Sequence, residues 1–290
     1  MSTWTSLELT LDTSALPENS EAALRDRWET HSGPPAPYPV TVQVADFPDL
    51  TAPERTVIVS NATTALRTTK DQVQIGPALL HLTPGHATLT LRTPELSELT
   101  ALLLFSELHR ARGWLPLHAT TAARNGRAVS ISGPSGAGKS TAALRLAGLG
   151  YTILAEDQTW LHPTTRRVHG LDRWLRAYPD SLERFAPELL SKSQGTDVYG
   201  KHLVPLSRTQ EAAKLNALLF LGQHTEIPAA QAARLLWEAG GLPLTNTSQQ
   251  ATAYAISHVI RQMDIRGTDR EGLLKDVKKS LEVLGRATSA

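Results

Sequence analysis

Cysteine is absent from the 290 residues, which removes disulfides, zinc–thiolate sites and iron–sulfur clusters from consideration and fits a reducing cytoplasm. No charge of one sign dominates. The 29 basic residues stand against 28 acidic ones, with neither a basic arm nor an acidic tail. Nothing therefore points to nucleic acid or an anionic membrane as a partner. Long apolar runs are missing as well: stretches such as Ala101 to Phe105 are far too short to cross a bilayer. The opening Met1-Ser2-Thr3-Trp4-Thr5 has no basic stretch leading into an apolar one, so no secretory signal is expected. Fixed-period repeats and low-complexity segments are also lacking. What is present is a globular composition, 41% hydrophobic and 20% charged, with room for one large domain or two ordinary ones. A cytoplasmic protein is the expectation.

The pattern divides the chain near Thr93-Pro94. Before it, Leu7, Leu9 and Leu11 alternate with polar residues, as do Val40, Val42 and Val44, which predicts strands. A helix is predicted over Glu21 to His31, stopped by Ser32-Gly33-Pro34-Pro35. Val57-Ile58-Val59 reads as another strand, and His81 to Leu91 as a hairpin turning at Pro84-Gly85. Residues 1–93 are thus expected to form a small β-rich domain, such as a scaffold or a module for homo-oligomer formation.

After it, Pro94 is predicted to open a helix at its first position, with Leu96, Leu99 and Leu103 on one face. Strands then flank Asn125-Gly126, a strong hairpin signal because both residues tolerate positive φ. A helix is expected from Ser140 to Leu149, and strands at Tyr151 to Ala155 and Leu215 to Leu221. Further helices are expected at Ala229 to Glu238, Gln249 to Gln262 and Arg270 to Leu284. Strands alternating with helices imply an α/β domain over residues 94–290, built on a parallel or mixed sheet.

The chemistry concentrates at Gly133-Pro134-Ser135-Gly136-Ala137-Gly138-Lys139-Ser140, which fits the G-x-x-x-x-G-K-[ST] phosphate loop. A chance match in such a chain is on the order of 1%, and the required context of strand before and helix after is present. Glycines let successive N–H groups face a phosphate, and the following helix adds its positive end. Gly133, Ser135, Gly136, Ala137, Gly138, Lys139, Ser140 and Thr141 are the expected nucleotide-binding residues, with Lys139 on the β- and γ-phosphates. Ser140 and Asp157 are the expected Mg²⁺ ligands, and ATP with magnesium is the expected cofactor pair. Glu156-Asp157 ends the next strand, expected to lie adjacent to the strand that enters the loop, where Glu156 could take a proton from an incoming hydroxyl. His118 lies in the strand before the hairpin and reads either as a packed residue or as part of the site.

Together Leu117-His118-Ala119, the loop, and Leu154-Ala155-Glu156-Asp157 resemble the catalytic domain of HPr kinase/phosphorylase and its relatives. The likeness covers about Leu115 to Leu161. It continues more weakly from Tyr178-Pro179-Asp180-Ser181 to Tyr199-Gly200-Lys201-His202, where it looks most like kinases that modify peptides. The resemblance implies an α/β P-loop domain of the HPr kinase and phosphoenolpyruvate carboxykinase type, carrying a smaller β-rich α+β N-terminal domain. It implies Glu156 as proton acceptor from a serine hydroxyl, Asp157 at the metal and His118 beside the γ-phosphate, with Lys139 completing the catalytic set. This chain departs from the pattern in having Glu156 where the family usually has aspartate. It also lacks the glycine-rich signature of the phosphorylase site, which speaks against the reverse reaction.

The expectation is a kinase acting on a hydroxyl, such as a serine of a peptide or protein. A small-molecule alcohol is the alternative acceptor, and a nucleotide-dependent switch the alternative class. Transporter ATPases are disfavoured, since no Leu-Ser-Gly-Gly occurs and their carboxylates come in the opposite order. Arg167, Arg173 and Arg176 read as a solvated basic face or as a phosphate-clamping lid. Lys201 and His202 are further candidates for substrate contact, and Trp174 serves either packing or docking.

Overall fold

The computed structural model describes residues 2–31, 38–59, 62–206 and 212–282 and is a mixed α/β protein with several sheets. Its chain forms two compact units, Met1–Trp114 with Pro243–Tyr254, and Leu115–Leu242 with Ala255–Ala290.

In the first unit the elements are β1 (Thr3–Ser6), β2 (Leu9–Asp12), α1 (Glu18–Trp28), β3 (Tyr38–Val44), β4 (Glu54–Val59), β5 (Ala62–Thr68), β6 (Gln72–Ile75), β7 (Ala78–Leu82), β8 (Ala87–Leu91) and α2 (Glu98–Ala111). The strands form one sheet in the order β1-β2-β3-β8-β7-β6-β5-β4. Alternation holds over most of β3, where Tyr38, Val40 and Val42 are buried and the residues between them exposed, but Val44 at the strand's end is exposed. The β7–β8 hairpin forms in the expected place, with Leu82 opposite Ala87. Leu7 is an exception. It turns the chain between β1 and β2 with φ of 52° rather than continuing a strand. The predicted stop at Ser32 to Pro35 lies outside the described residues.

Two expectations fail around α2. Pro94 does not open this helix, because Ser97 caps it through its Oγ, which accepts the Thr100 N–H at 3.2 Å. Nor does the boundary between units fall at Pro94. Phe105 of α2 stacks on Trp28 with ring centroids 4.7 Å apart, which fixes the helix to the first sheet's unit.

The second unit contains β9 (Leu115–Arg124), β10 (Arg127–Ser132), α3 (Lys139–Gly148), β11 (Thr152–Ala155), β12 (Gln158–Leu161), β13 (Arg167–Gly170), β14 (Trp174–Ala177), α4 (Pro179–Phe185), β15 (His202–Pro205), β16 (Ala212–Leu221), α5 (Ala229–Gly240), the part of α6 (Asn246–Gln262) from Ala255 onward, β17 (Asp264–Thr268) and α7 (Leu273–Glu282). Pairing closes a circuit β9-β10-β16-β13-β12-β9, with β11 added on β9 and β17 on β16. Asn125 and Gly126 make the two-residue turn with φ of 53° and 72°, so that Arg124 pairs with Arg127. Successive residues of β16 serve two cores. Ala217, Leu219 and Leu221 face one shared with α3, α4 and α7, whereas Leu218 and Phe220 face one shared with α5 and α6. Burial on both faces explains its unbroken apolar run. The last helix ends at Glu282 among the described residues, so the predicted end at Leu284 lies outside them.

Candidate functional site

Strand β10 delivers the chain into the phosphate loop and α3 carries it away. Gly138 precedes the helix with φ of 112° and Gly136 has φ of 75°, conformations that a side chain would strain. The Lys139 ammonium folds back on the loop and donates to the carbonyls of Gly133 at 2.9 Å and Pro134 at 3.3 Å. Burial lowers its pKa, opposed by the charges of Asp157 and Glu156. The loop is braced from outside its cleft by Arg270, in the turn after β17. That guanidinium donates to the carbonyls of Gly136 at 2.7 Å and Ala137 at 2.8 Å.

The Glu156-Asp157 pair connects β11 to β12. Sequence reasoning set it on a strand adjacent to the phosphate-loop strand, but β9 lies between them and pairs with both. Both pairings are antiparallel, so β11 runs parallel to β10 and its carboxyl end reaches the same edge of the sheet. The Ser140 hydroxyl donates to Glu156 Oε1 at 2.9 Å, while Arg176 Nε on β14 donates to Glu156 Oε2 at 3.2 Å. The same guanidinium lies 3.7 Å from Asp157 Oδ2, and His118 Nδ1 lies 3.6 Å from Asp157 Oδ1. Glu156 is 2% exposed, and burial together with the neighbouring Asp157 charge raises its pKa, against the pull of Arg176 and Ser140. Burial lowers the pKa of His118, with Asp157 opposing and Lys139 reinforcing, which favours a neutral imidazole.

These groups line one cleft of about 440 Å³. It contains Ser135, Gly136, Gly138, Lys139, Ser140 and Thr141 with His118, Glu156, Asp157 and Arg176. Of the remaining expected residues, Gly133 lines an adjoining cavity with Pro134 and Phe220, which shares His118 and Ser135 with the cleft, and Ala137 lines neither. Of the three lid arginines only Arg176 lines the cleft, and of Lys201 and His202 only the lysine does. The His202 ring instead pairs with the Ser193 hydroxyl at 2.8 Å. The rim carries Tyr178 and Tyr199, 52% and 76% exposed, with the Lys201 ammonium 5.3 Å from the Tyr178 ring centre. A larger groove of about 860 Å³ beside α7 has an apolar floor of Leu146, Leu149 and Leu274 under Lys275, Lys278 and Lys279, away from this chemistry. Size is therefore the poorer guide to the site.

Among the described residues no three His, Cys, Asp or Glu side chains gather as a metal site. The oxygen donors of Ser140 and Asp157 nevertheless suit magnesium, which keeps several waters and takes ligands from substrate phosphates rather than needing an all-protein cage.

Two bracing residues were not anticipated, Arg270 above and Asp172. Asp172 is 7% exposed, and its Oδ2 accepts the successive N–H groups of Glu156, Asp157 and Gln158 at 2.9, 2.8 and 2.7 Å. Hydrogen bonds to an ionised acceptor contribute about 1.5–3 kcal/mol each. Gly170 makes the approach possible, because a Cβ there would stand 1.6 Å from the Leu154 carbonyl oxygen. The available signal in sequence was a lone acidic residue two positions beyond a glycine, which is no pattern at all.

The chain matches no protein-family model, and comparison with curated proteins gives no match.

Proposed function

We propose that the cleft is the active site of an ATP- and magnesium-dependent phosphotransferase that moves the γ-phosphoryl group to a hydroxyl, in a catalytic unit of the HPr kinase type. The observation that carries this reading is the convergence of Ser140, Glu156, Asp157, Arg176 and His118 on one cleft with the phosphate loop. Glu156, buried and with a raised pKa, suits a general base better than an ordinary solvated carboxylate does. It would accept the acceptor's proton as the hydroxyl oxygen bonds to the γ-phosphorus and the bond to the β-phosphate bridge breaks, releasing ADP. Lys139 and Arg176 would balance the charge on the transferring group, and Ser140 and Asp157 would hold the magnesium. When bound, the metal would supply further neutralisation of the charge on the transferring phosphate. Exposed Tyr178 and Tyr199 at the rim favour a peptide or protein acceptor over a small polar alcohol.

Incubation with γ-labelled ATP and cell extract tests the reading directly: label should transfer to a polypeptide. Glu156→Gln should then lower transfer about 10²- to 10⁴-fold with ATP affinity nearly unchanged. Asp157→Asn should instead raise the magnesium concentration required. Release of labelled phosphate alone, with no labelled acceptor, would favour a nucleotide-driven switch.

A further inference from the structure

The Glu156-Asp157 segment joins two strands with no residue between the pair and either strand end. Such a short connection aims both side chains only if its peptide planes are fixed. On one side, the Glu156 carbonyl accepts the Thr120 hydroxyl at 2.7 Å and the Asp157 carbonyl accepts the Ala119 N–H at 3.2 Å, both from β9. On the other, the three N–H groups of residues 156–158 converge on the single Oδ2 of Asp172. Asp172 does not line the cleft, so it touches neither nucleotide nor acceptor there. We propose that Asp172 is a positioning residue, whose carboxylate clamps the Glu156-Asp157 backbone so that base and metal ligand enter the cleft at fixed angles. The role assigned to the pair rests on the phosphotransferase reading, whereas the clamp itself does not.

The chemistry of the acceptor matters. Three donors on one oxygen call for the charge density of a carboxylate, so an amide of equal shape should hold the turn loosely. The phosphate loop is braced independently by Arg270, so loosening the turn should spare the phosphate cradle. Displacing reacting groups by about 1 Å is enough to lower turnover about 10²-fold.

The test uses the full chain with Asp172→Asn and Asp172→Ala. Hydrogen exchange at the amides of residues 156–158 should accelerate in both, more in the alanine variant. With labelled ATP, kcat should fall about 10²-fold in Asp172→Ala and less in Asp172→Asn. Affinity for ATP measured without magnesium should stay within about twofold of the parent. Unchanged exchange, or unchanged kcat alongside faster exchange, would overturn the proposal. So would a kcat loss matched by an equal loss of ATP affinity, since that marks general disruption. A parent that transfers no label overturns the phosphotransferase reading instead, and the exchange rates still decide whether Asp172 clamps the turn.

Discussion

At the residue scale, the molecule places an acid where water scarcely reaches and surrounds it with partners that only partly compensate. Glu156 receives a hydrogen bond from Ser140 and another from Arg176, yet burial and Asp157 prevail and its pKa is raised above 4.5. The folded protein thus binds this proton more tightly than the unfolded chain does, and the ionised form at neutral pH opposes folding. Replacing Glu156 by glutamine should then raise the thermal midpoint at pH 8, on the order of a few degrees for a stabilisation near 1 kcal/mol. The sign follows from the direction of the shift. As pH falls through the raised value toward 4.5, the parent gains its proton and the advantage of the variant should vanish. Thermal melts of both proteins between pH 4 and pH 8 would check it. An advantage that does not change with pH would count against the electrostatic account. Stored destabilisation of this kind is common where a carboxylate must serve as a base near neutrality.

At the element scale, the site is a set of strand ends and turns held by contacts that differ in sequence range. The strand–loop–helix turn at Gly133 to Ser140 was legible because its glycines, Lys139 and Ser140 lie within eight residues and their geometry is local. The β9–β10 hairpin was legible for the same reason at Asn125-Gly126. The braces were not. Asp172 reaches the 156–158 turn only because β13 packs beside β11 at Gly170, and Arg270 reaches the loop from the end of β17, more than 130 residues further on. No periodicity or spacing encodes such meetings, since they are products of strand order. The misplaced start of α2 has a different cause: Ser97 competes with Pro94 for the role of opening residue, and a side-chain cap outweighs a permissive φ. Arg270 also supports a prediction. In a trans peptide the C=O and N–H point in opposite directions, so holding the Ala137 carbonyl orients the Gly138 N–H the other way. Arg270→Ala should therefore weaken ATP binding about tenfold by calorimetry, equivalent to about 1.4 kcal/mol. Equal affinities would mean that the loop holds its shape unaided.

At the scale of the whole molecule, the connectivity decides what can be cut. After α5 the chain enters the first unit at Pro243–Tyr254, and the second unit resumes at Ala255, inside α6. The visiting segment is anchored there by Glu107, 1% exposed, whose carboxylate accepts the N–H groups of Leu244 and Thr245 and the Thr245 hydroxyl, each at 2.9 Å. Thr245 in turn accepts the Ser248 N–H at 3.2 Å and so starts the helix. A fragment beginning at Pro94 would keep Glu107 but lose the sheet of the first unit, leaving Leu104, Phe105 and Leu108 of α2 without their burial. One beginning at Leu115 would leave the amides of Leu244 and Thr245 without their acceptor. Both cuts keep every residue of the second unit, but each strands residues 243–254 without the rest of the first unit, so both fragments should bind hydrophobic dye and exchange amide hydrogens quickly in α6. In the intact chain Glu107→Ala isolates the anchor from the cut. Two amides and a hydroxyl lose a charged acceptor in a buried setting, so stability should fall by about 3 kcal/mol in chemical denaturation. Exchange at Leu244 and Thr245 should accelerate in step. A loss below about 0.5 kcal/mol, the range of an ordinary surface substitution, would mean that residues 243–254 are held by their apolar contacts alone and that the helix needs no anchor at Glu107.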